Sequence, residues 1–317
     1  EAPTPEGVES MSQETLQRSE IQKKASASVA EAVSEVEGVT LASTGSNVQM
    51  PVIHGLYGNR ILILNNGLKH GFQNWGMDHA PEIDINSANS ITLIKGAAGV
   101  KYGPEALGGA ILVESDKLYL NEPFSFDVGS GYETNGKAYF VQSRINQGLK
   151  KWSYHLGGNY YRSGDRHAPD YILTNTGKEE MSVSGGVRYY GKSWDVKGYY
   201  SLVNQNLGLL RSSVSHSGDL FTKMINSDVP IIVKPFSYEI NQPNQLTKHH
   251  LGKIELDWWY SEHAKLSFRV GQQLNSRQEF DVRRDATRPI IDLDLITIDY
   301  QIEWKHPDWL RLDGNVG

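Results

Sequence analysis

The sequence predicts a compact α+β domain followed by the strands of an antiparallel transmembrane β-barrel. Up to about Glu114, short apolar runs are punctuated by glycine, asparagine and proline. Beyond about Phe124, long segments alternate strictly between apolar and polar residues. The connections between those long segments are short and long in turn, and aromatic residues gather beside the short ones.

The first element is read as helix. From Ser12 to about Glu37 the pattern is helical, with a second start near Ser26 and apolar spacing at Ala30, Val33 and Val36 before Gly38 ends it. Short strands follow at 39–43, 51–55, 59–64, 91–95 and 110–114, each bounded by turn residues.

In the second region, Met181, Val183, Gly185, Val187 and Tyr189 fall on one face of a strand, and Ser182, Ser184, Gly186 and Arg188 on the other. Ile254, Leu256, Trp258 and Tyr260 alternate likewise with Lys253, Glu255, Asp257 and Trp259, as do Ile296, Ile298, Tyr300, Ile302 and Trp304 with Thr297, Asp299, Gln301 and Glu303. A soluble β-sandwich also alternates. Two features favour the barrel. Tight turns near 149–151, 190–193, 260–264 and 305–309 contrast with long connections at 165–178, 209–247 and 282–291. Trp152, Tyr189, Trp194, Trp258, Tyr260 and Trp304 sit on the apolar face close to the tight turns, as an interfacial girdle would. The charged opposite face suits a wet lumen better than a sandwich core.

Composition agrees. Tyr (16) and Trp (7) together far outnumber Phe (8), an excess of rings with one polar tip. No run approaches the 18 or so apolar residues of a membrane-spanning helix, and alternation keeps mean hydropathy at −0.46. Absence of cysteine excludes disulfides and thiolate metal sites. A net charge of −6 with no basic run argues against nucleic acid as a partner. The polar start at Glu1, with two prolines close behind, reads as a mature or trimmed N-terminus rather than a signal peptide. Ser, His and Asp residues assemble into no catalytic motif, so no enzyme and no cofactor is expected.

The stretch "ITLIKGAAGVKYGPEALGGAILVE" carries Ile91, Ile94, Gly96, Tyr102, Gly103, Gly108, Gly109 and Ile111. It resembles the later signature of the plug of TonB-dependent outer-membrane receptors, which runs Ile-x-x-Ile-x-x-Gly, then Tyr-Gly, then Gly-Gly and a closing strand. "PVIHGLYGNRILILNNG" is similar to the family's earlier segment, with His54 where arginine is usual, Arg60 retained, and Asn66 where aspartate is usual. "AEAVSEVEGVTLAS" resembles its helix and Pro-Gly-Val entry, with Glu37 in place of proline. "GPEALGG" lacks the lysine, the hydroxyl residue and the long helix of a phosphate loop.

The resemblance implies an N-terminal segment (1–28), a plug (29–116) and the beginning of a barrel (117–317). Whole barrels of this type have about 22 strands, and 124–317 supplies eight with a ninth beginning at Trp309, so the chain reads as truncated. No clear TonB box is visible. Gly103, Gly108 and Gly109 are expected to allow positive φ and close approach of the plug backbone to the enclosing wall. The resemblance further implies import of a scarce nutrient through the outer membrane of a Gram-negative bacterium, with TonB supplying energy and outer-membrane lipid around the barrel. The cargo is a ferric siderophore, haem or another metal complex; the alternative is an oligosaccharide or cobalamin taken up with a surface binding partner.

The plug loop 68–84 holds the candidate ligand contacts His70, Phe72, Trp75, Met77, Asp78 and His79. The rings suit stacking on a planar ligand, and His70 and His79 are the weak metal-ligand candidates. The plainer alternative is that this loop packs against barrel loops. The loop 209–247 is long enough to fold over the mouth. His249, His250 and His216 are expected to be solvated loop residues, and Asp165, Arg166 and His167 form a charged extracellular tip of unread role.

Overall fold

The computed structural model describes residues 13–24, 28–71, 81–213, 219–282, 287–305 and 313–316. The chain divides into two compact units: 1–44 with 48–116, and 45–47 with 117–317.

The first unit contains β1 (Gln13–Gln17), α1 (Arg18–Gln22), α2 (Val29–Val33), β2 (Val39–Ser43), β3 (Gln49–Ile53), β4 (Ile61–Asn65), β5 (Leu68–Lys69), β6 (Ser90–Lys95) and β7 (Gly109–Glu114). Five strands form one mixed sheet in the order β1-β6-β7-β4-β5, with β4 and β7 parallel, and β2–β3 is a separate hairpin. Both faces of the large sheet are covered. Ile61, Ile91, Leu93, Ile111 and Val113 pack with Ile21 and the α2 residues Val29, Ala32 and Val33. Leu62, Ile94 and Ala110 pack on the other side against Ala106 and Tyr102. Two-sided burial explains why "ILIL" and "AILV" read as unbroken apolar runs.

The expected helix from Ser12 is only partly found. Gln13–Gln17 is a strand, paired antiparallel with Ser90–Ile94. The open edge of β6 gives these residues a ladder of backbone hydrogen bonds, and tertiary pairing overrides a weak local preference. The second helix is capped by Ser28, whose hydroxyl accepts from the Glu31 amide at 3.1 Å. Gly38 closes the segment at φ +81°.

The second unit contains β8 (Ser125–Glu133), β9 (Ala138–Gly148), β10 (Trp152–Ser163), β11 (Arg166–His167), β12 (Ile172–Leu173), β13 (Lys178–Tyr190), β14 (Trp194–Gly208), α3 (Asp219–Ile225), β15 (Asn244–Ser261), β16 (Ala264–Phe280), β17 (Ile291–Lys305) and β18 (Asp313–Val316). Nine of these make one antiparallel meander, β8-β9-β10-β13-β14-β15-β16-β17-β18, and β11–β12 is a small hairpin inside one connection.

The meander buries its polar face and exposes its apolar one. Ile298 is 67% exposed while Gln273, Asn275 and Arg277 are buried. Register aligns the exposed residues into rows. From the short-turn end upward these run Trp194-Trp258-Leu266-Trp304, then Tyr189-Val196-Leu256-Phe268-Ile302, then Val187-Gly198-Ile254-Val270-Tyr300. Next come Gly185-Tyr200-Gly252-Gln272-Ile298 and Val183-Leu202-His250-Leu274-Ile296. In the following row, Met181-Asn204-Lys248-Ser276-Asp294, only Met181 at the β13 end is apolar. Five apolar rows span about 26 Å of strand; a barrel tilt near 40° makes that about 20 Å of height, close to an outer-membrane apolar band.

Aromatic rings mark the lower edge of this band. Trp194 stacks on Trp258 with centroids 5.2 Å apart, Trp152 lies 4.7 Å from Tyr189, and the Trp304 indole donates to Tyr260 Oη at 2.7 Å. A second set, unread in the sequence, lies at the opposite ends of the strands. Tyr132 pairs with Tyr139, whose ring is 6.3 Å from Tyr160.

On the polar face an ion-pair ladder crosses four strands near the short turns. Arg188 grips Asp195 with two bonds of 2.8 Å, and Glu255 meets Lys197 at 4.0 Å, Lys253 at 3.0 Å and Arg269 at 2.9 Å.

Candidate functional site

The plug residues singled out in the sequence share one region of the first unit. His54 and Gly55, both at positive φ, form a two-residue turn closed by reciprocal Ile53–Leu56 backbone bonds of 2.9 Å. His54 and Arg60 are exposed. Asn66 sits in a second such turn at φ +51° and is buried. Its carbonyl accepts from the Ser115 amide at 2.9 Å and the Ser115 hydroxyl at 2.7 Å, and its amide donates to Asn65 Oδ1 at 2.9 Å. A neutral amide therefore makes these bonds where the family usually has a carboxylate.

Gly96 and Gly103 have positive φ, and Tyr102 packs against the Leu62–Ala106 cluster with Lys101 Nζ 5.0 Å from its ring centre. The expectation for the paired glycines needs correction in two respects. Gly108 is not at positive φ, and neither close approach requires an enclosing wall. A Cβ on Gly108 would lie 2.9 Å from Leu56 Cβ, and one on Gly109, at φ +142°, would lie 2.2 Å from Ile94 O. Both contacts are inside the first unit, where three strands and the 96–107 turn converge.

Lys69 pairs with Glu105, tying β5 to that turn, and this hydrogen bond holds the Glu105 carboxyl below its usual range. The pair's stabilisation is therefore complete above the unfolded-state pKa and disappears as pH falls through the lowered one. Both groups are over a third exposed, so the effect is small.

Of the candidate ligand residues, His70 is described. It is buried, and its amide donates to Ile63 O at 2.8 Å, extending the β5 edge. Phe72, Trp75, Met77, Asp78 and His79 lie outside the described residues. The far stem of the loop is anchored by Asp84, whose carboxylate accepts from the Asn86 backbone and side-chain amides at 2.9 Å each.

In the second unit the long connections gather at one end, and three of them are joined into one structure. Asp165, buried, accepts from the Thr176 amide at 2.9 Å and the Ser237 amide at 3.2 Å. Asn175, at φ +67°, donates to Leu209 O at 2.9 Å and Pro243 O at 2.8 Å and accepts from the Asn241 amide at 2.8 Å. Tyr238 Oη donates to Lys137 O at 2.7 Å, and Asn135 Oδ1 accepts from the His167 amide. Connections 164–177 and 209–243 thus share two buried polar hubs, and 134–137 is tied to them by the exposed Tyr238 and Asn135 bonds. The sequence marks Asp165 as a charged tip; its partners lie 11 and 72 residues away, beyond any local signal.

Replacing Asp165 with alanine leaves the Thr176 and Ser237 amides without their acceptor, a local loss of about 2–3 kcal/mol. Hydrogen exchange at those two amides should accelerate by about 30- to 150-fold with strand amides unchanged. Unaltered protection would show that the hub is not what orders these connections.

The histidine expectations change for the second unit. His249 is buried on the polar face, 3.1 Å from the Asn275 amide, because β15 begins at Asn244 and not after residue 247. His250 faces outward and its Nδ1 meets Tyr200 Oη at 2.8 Å. His216 lies outside the described residues. Among the described residues no group of three or more His, Asp or Glu side chains gathers as a metal site.

Residues 8–110 match the family model of the TonB-dependent receptor plug domain. Solved structures share the fold over nearly the whole chain. The siderophore receptor PirA from Acinetobacter baumannii matches 93% of it at 15% identity with a TM-score of 0.61. The ferric yersiniabactin uptake receptor FyuA from Yersinia pestis matches 94% at 9% identity (TM-score 0.63), and the copper transporter OprC matches 92% at 15% identity (TM-score 0.57). The chain spans 45%, 46% and 52% of those proteins, respectively.

Proposed function

We propose, from the premise that this chain belongs to the TonB-dependent receptors as a plug domain followed by the first strands of the barrel, that it imports a metal complex across an outer membrane. The observation that carries this reading is the reversed meander: a sheet that exposes its apolar face and buries its polar one is matched to lipid outside and a polar lumen within. A plug domain encoded directly before such a sheet suits gated passage of cargo too large for an open pore. TonB is the partner that would supply energy, and lipid is the barrel's solvent.

The cargo proposed is a ferric siderophore, haem or a related metal complex. Structures of the same fold include receptors named for siderophores and a transporter named for copper. The loop 68–84 offers rings for stacking and His70 and His79 as donors toward a metal-bearing ligand.

Tryptophan fluorescence of the full-length receptor in detergent, titrated with haem, ferric siderophores, cobalamin and oligosaccharides, tests this. Saturable quenching by an iron compound is expected, and it should vanish when residues 70–79 are deleted. Saturation by sugar or cobalamin alone would keep the transporter and replace the cargo.

A further inference from the structure

Residues 117–122 begin the long run of the second unit and form neither helix nor strand, yet they are fixed to the sheet at three places. The Asn121 amide donates to Leu149 O at 3.1 Å, the Gly148 amide donates to Glu122 O at 2.9 Å, and Arg188 Nη1 donates to Leu118 O at 2.9 Å. Gly148, Ser153 and Arg188 are neighbours in one row of the polar face, on β9, β10 and β13. A short segment thus reaches across the short-turn ends of three strands.

The row is shaped to admit it. A Cβ on Gly148 would stand 2.2 Å from Tyr119 O and 2.6 Å from the Glu122 amide nitrogen, so the segment lies against bare backbone there. Ser153, next in the row, is small and buried. Arg188 closes the far end. Its Nε and Nη2 hold both oxygens of Asp195 at 2.8 Å while Nη1 reaches Leu118 O. A planar guanidinium serves both partners at once, and the single ammonium of a lysine does not. Asp195 is buried, with Lys197 3.9 Å away, so the guanidinium is itself held in place. A charge-assisted bond of this kind is about twice as strong as a neutral one.

From this geometry we infer that 117–122 is a mooring strap: Arg188 locks it, Gly148 gives it room, and it moves with the strands rather than with the residues before it. Released, it would free about 20 Å of extended chain; moored, it frees none. On the import reading proposed above, any movement of the first unit that lets cargo through is made without slack from this junction.

The test is hydrogen exchange, read by mass spectrometry, on the full-length receptor folded in lipid vesicles, with heat-modifiable electrophoretic migration reporting the folded barrel. Gly109→Ala, which strains the first unit alone, should speed exchange at the Ile111 and Val113 amides about a hundredfold and leave the Asn121 and Gly148 amides as protected as before. Arg188→Gln and Arg188→Lys should each speed exchange at Asn121 and Gly148 about tenfold and open the Lys117–Leu118 bond to trypsin, with β16 amides unchanged. Gly148→Ala should loosen Asn121 and Lys117 likewise, because its methyl displaces Tyr119 O while the Arg188–Asp195 pair stays whole. It tests the strap even where an Arg188 variant does not fold.

Exchange at Asn121 that rises with Ile111 in Gly109→Ala overturns the inference, because the segment would then belong to the first unit. So do folded Arg188 and Gly148 variants that keep Asn121 protected and Lys117 uncut. None of these readings uses cargo. A failed strap therefore leaves the import reading standing, and a receptor that takes up no metal complex leaves the strap standing.

Discussion

Replacing Ile298 with arginine is expected to prevent membrane assembly of the full-length receptor. Ile298 stands in the fourth of five apolar rows, between Gln272 on the neighbouring strand and open surroundings, and is 67% exposed. A guanidinium there would have to be carried into hydrocarbon well inside the band, at a cost of about 2–4 kcal/mol near the midplane. The neighbouring residue supplies the control. Thr297 points to the opposite face, where its hydroxyl accepts from Gln273 Nε2 at 3.2 Å, and arginine at 297 should be tolerated by a polar lumen. Heat-modifiable migration of the receptor folded into vesicles distinguishes the two. Equal assembly of both variants would contradict the lipid-facing assignment, since the two positions differ in facing and hardly at all in height.

Gly109→Ala carries the second large effect, in the plug. Gly109 opens β7 at the point where that strand pairs on one side with Lys95 and on the other with Ile61. Its φ of +142° is nearly closed to other residues. The added methyl would stand 2.2 Å from the Ile94 carbonyl, a backbone atom held in the β6 ladder. A flexible side chain would yield; the ladder does not. Strain of this kind together with broken pairing costs about 3 kcal/mol or more. Calorimetry of the purified receptor should show the plug transition shifted to lower temperature and the barrel transition in place. An unshifted plug transition would mean that β7 has another way to enter the sheet.

The sequence conveys the two halves unequally. The exposed and buried positions of β17 are readable residue by residue, because a period of two survives any arrangement of loops. The same is true of the lower aromatic edge. The upper edge was equally readable: Tyr132, Tyr139 and Tyr160 stand at the long-connection ends of their strands, and the rule applied to the tight turns would have found them.

β1 was not readable, since its five residues become a strand only because β6 has an edge to offer. Nor were the hubs. Asp165 and Asn175 look like ordinary loop residues until the chain returns 72 and 68 residues later with an amide and a carbonyl to meet them. His249 was misread for a related reason: its character depends on where β15 begins, and the loop before it ends in Pro243 with no periodic signal. In the plug, the glycines were visible, but their reason is the packing of β6, β7 and the 53–56 turn against one another.

The reversed sheet also bears on how such a chain travels. Its greasiness is not a property of any segment; it arises when neighbouring strands come into register and set their alternate residues side by side. Unpaired, the polymer has a mean hydropathy of −0.46 and behaves as a hydrophilic thread that an aqueous compartment tolerates. Paired, it presents five largely apolar rows on one face. On the membrane-spanning reading proposed above, the affinity for lipid is latent in transit and released by folding, so insertion and strand pairing are expected to be one event.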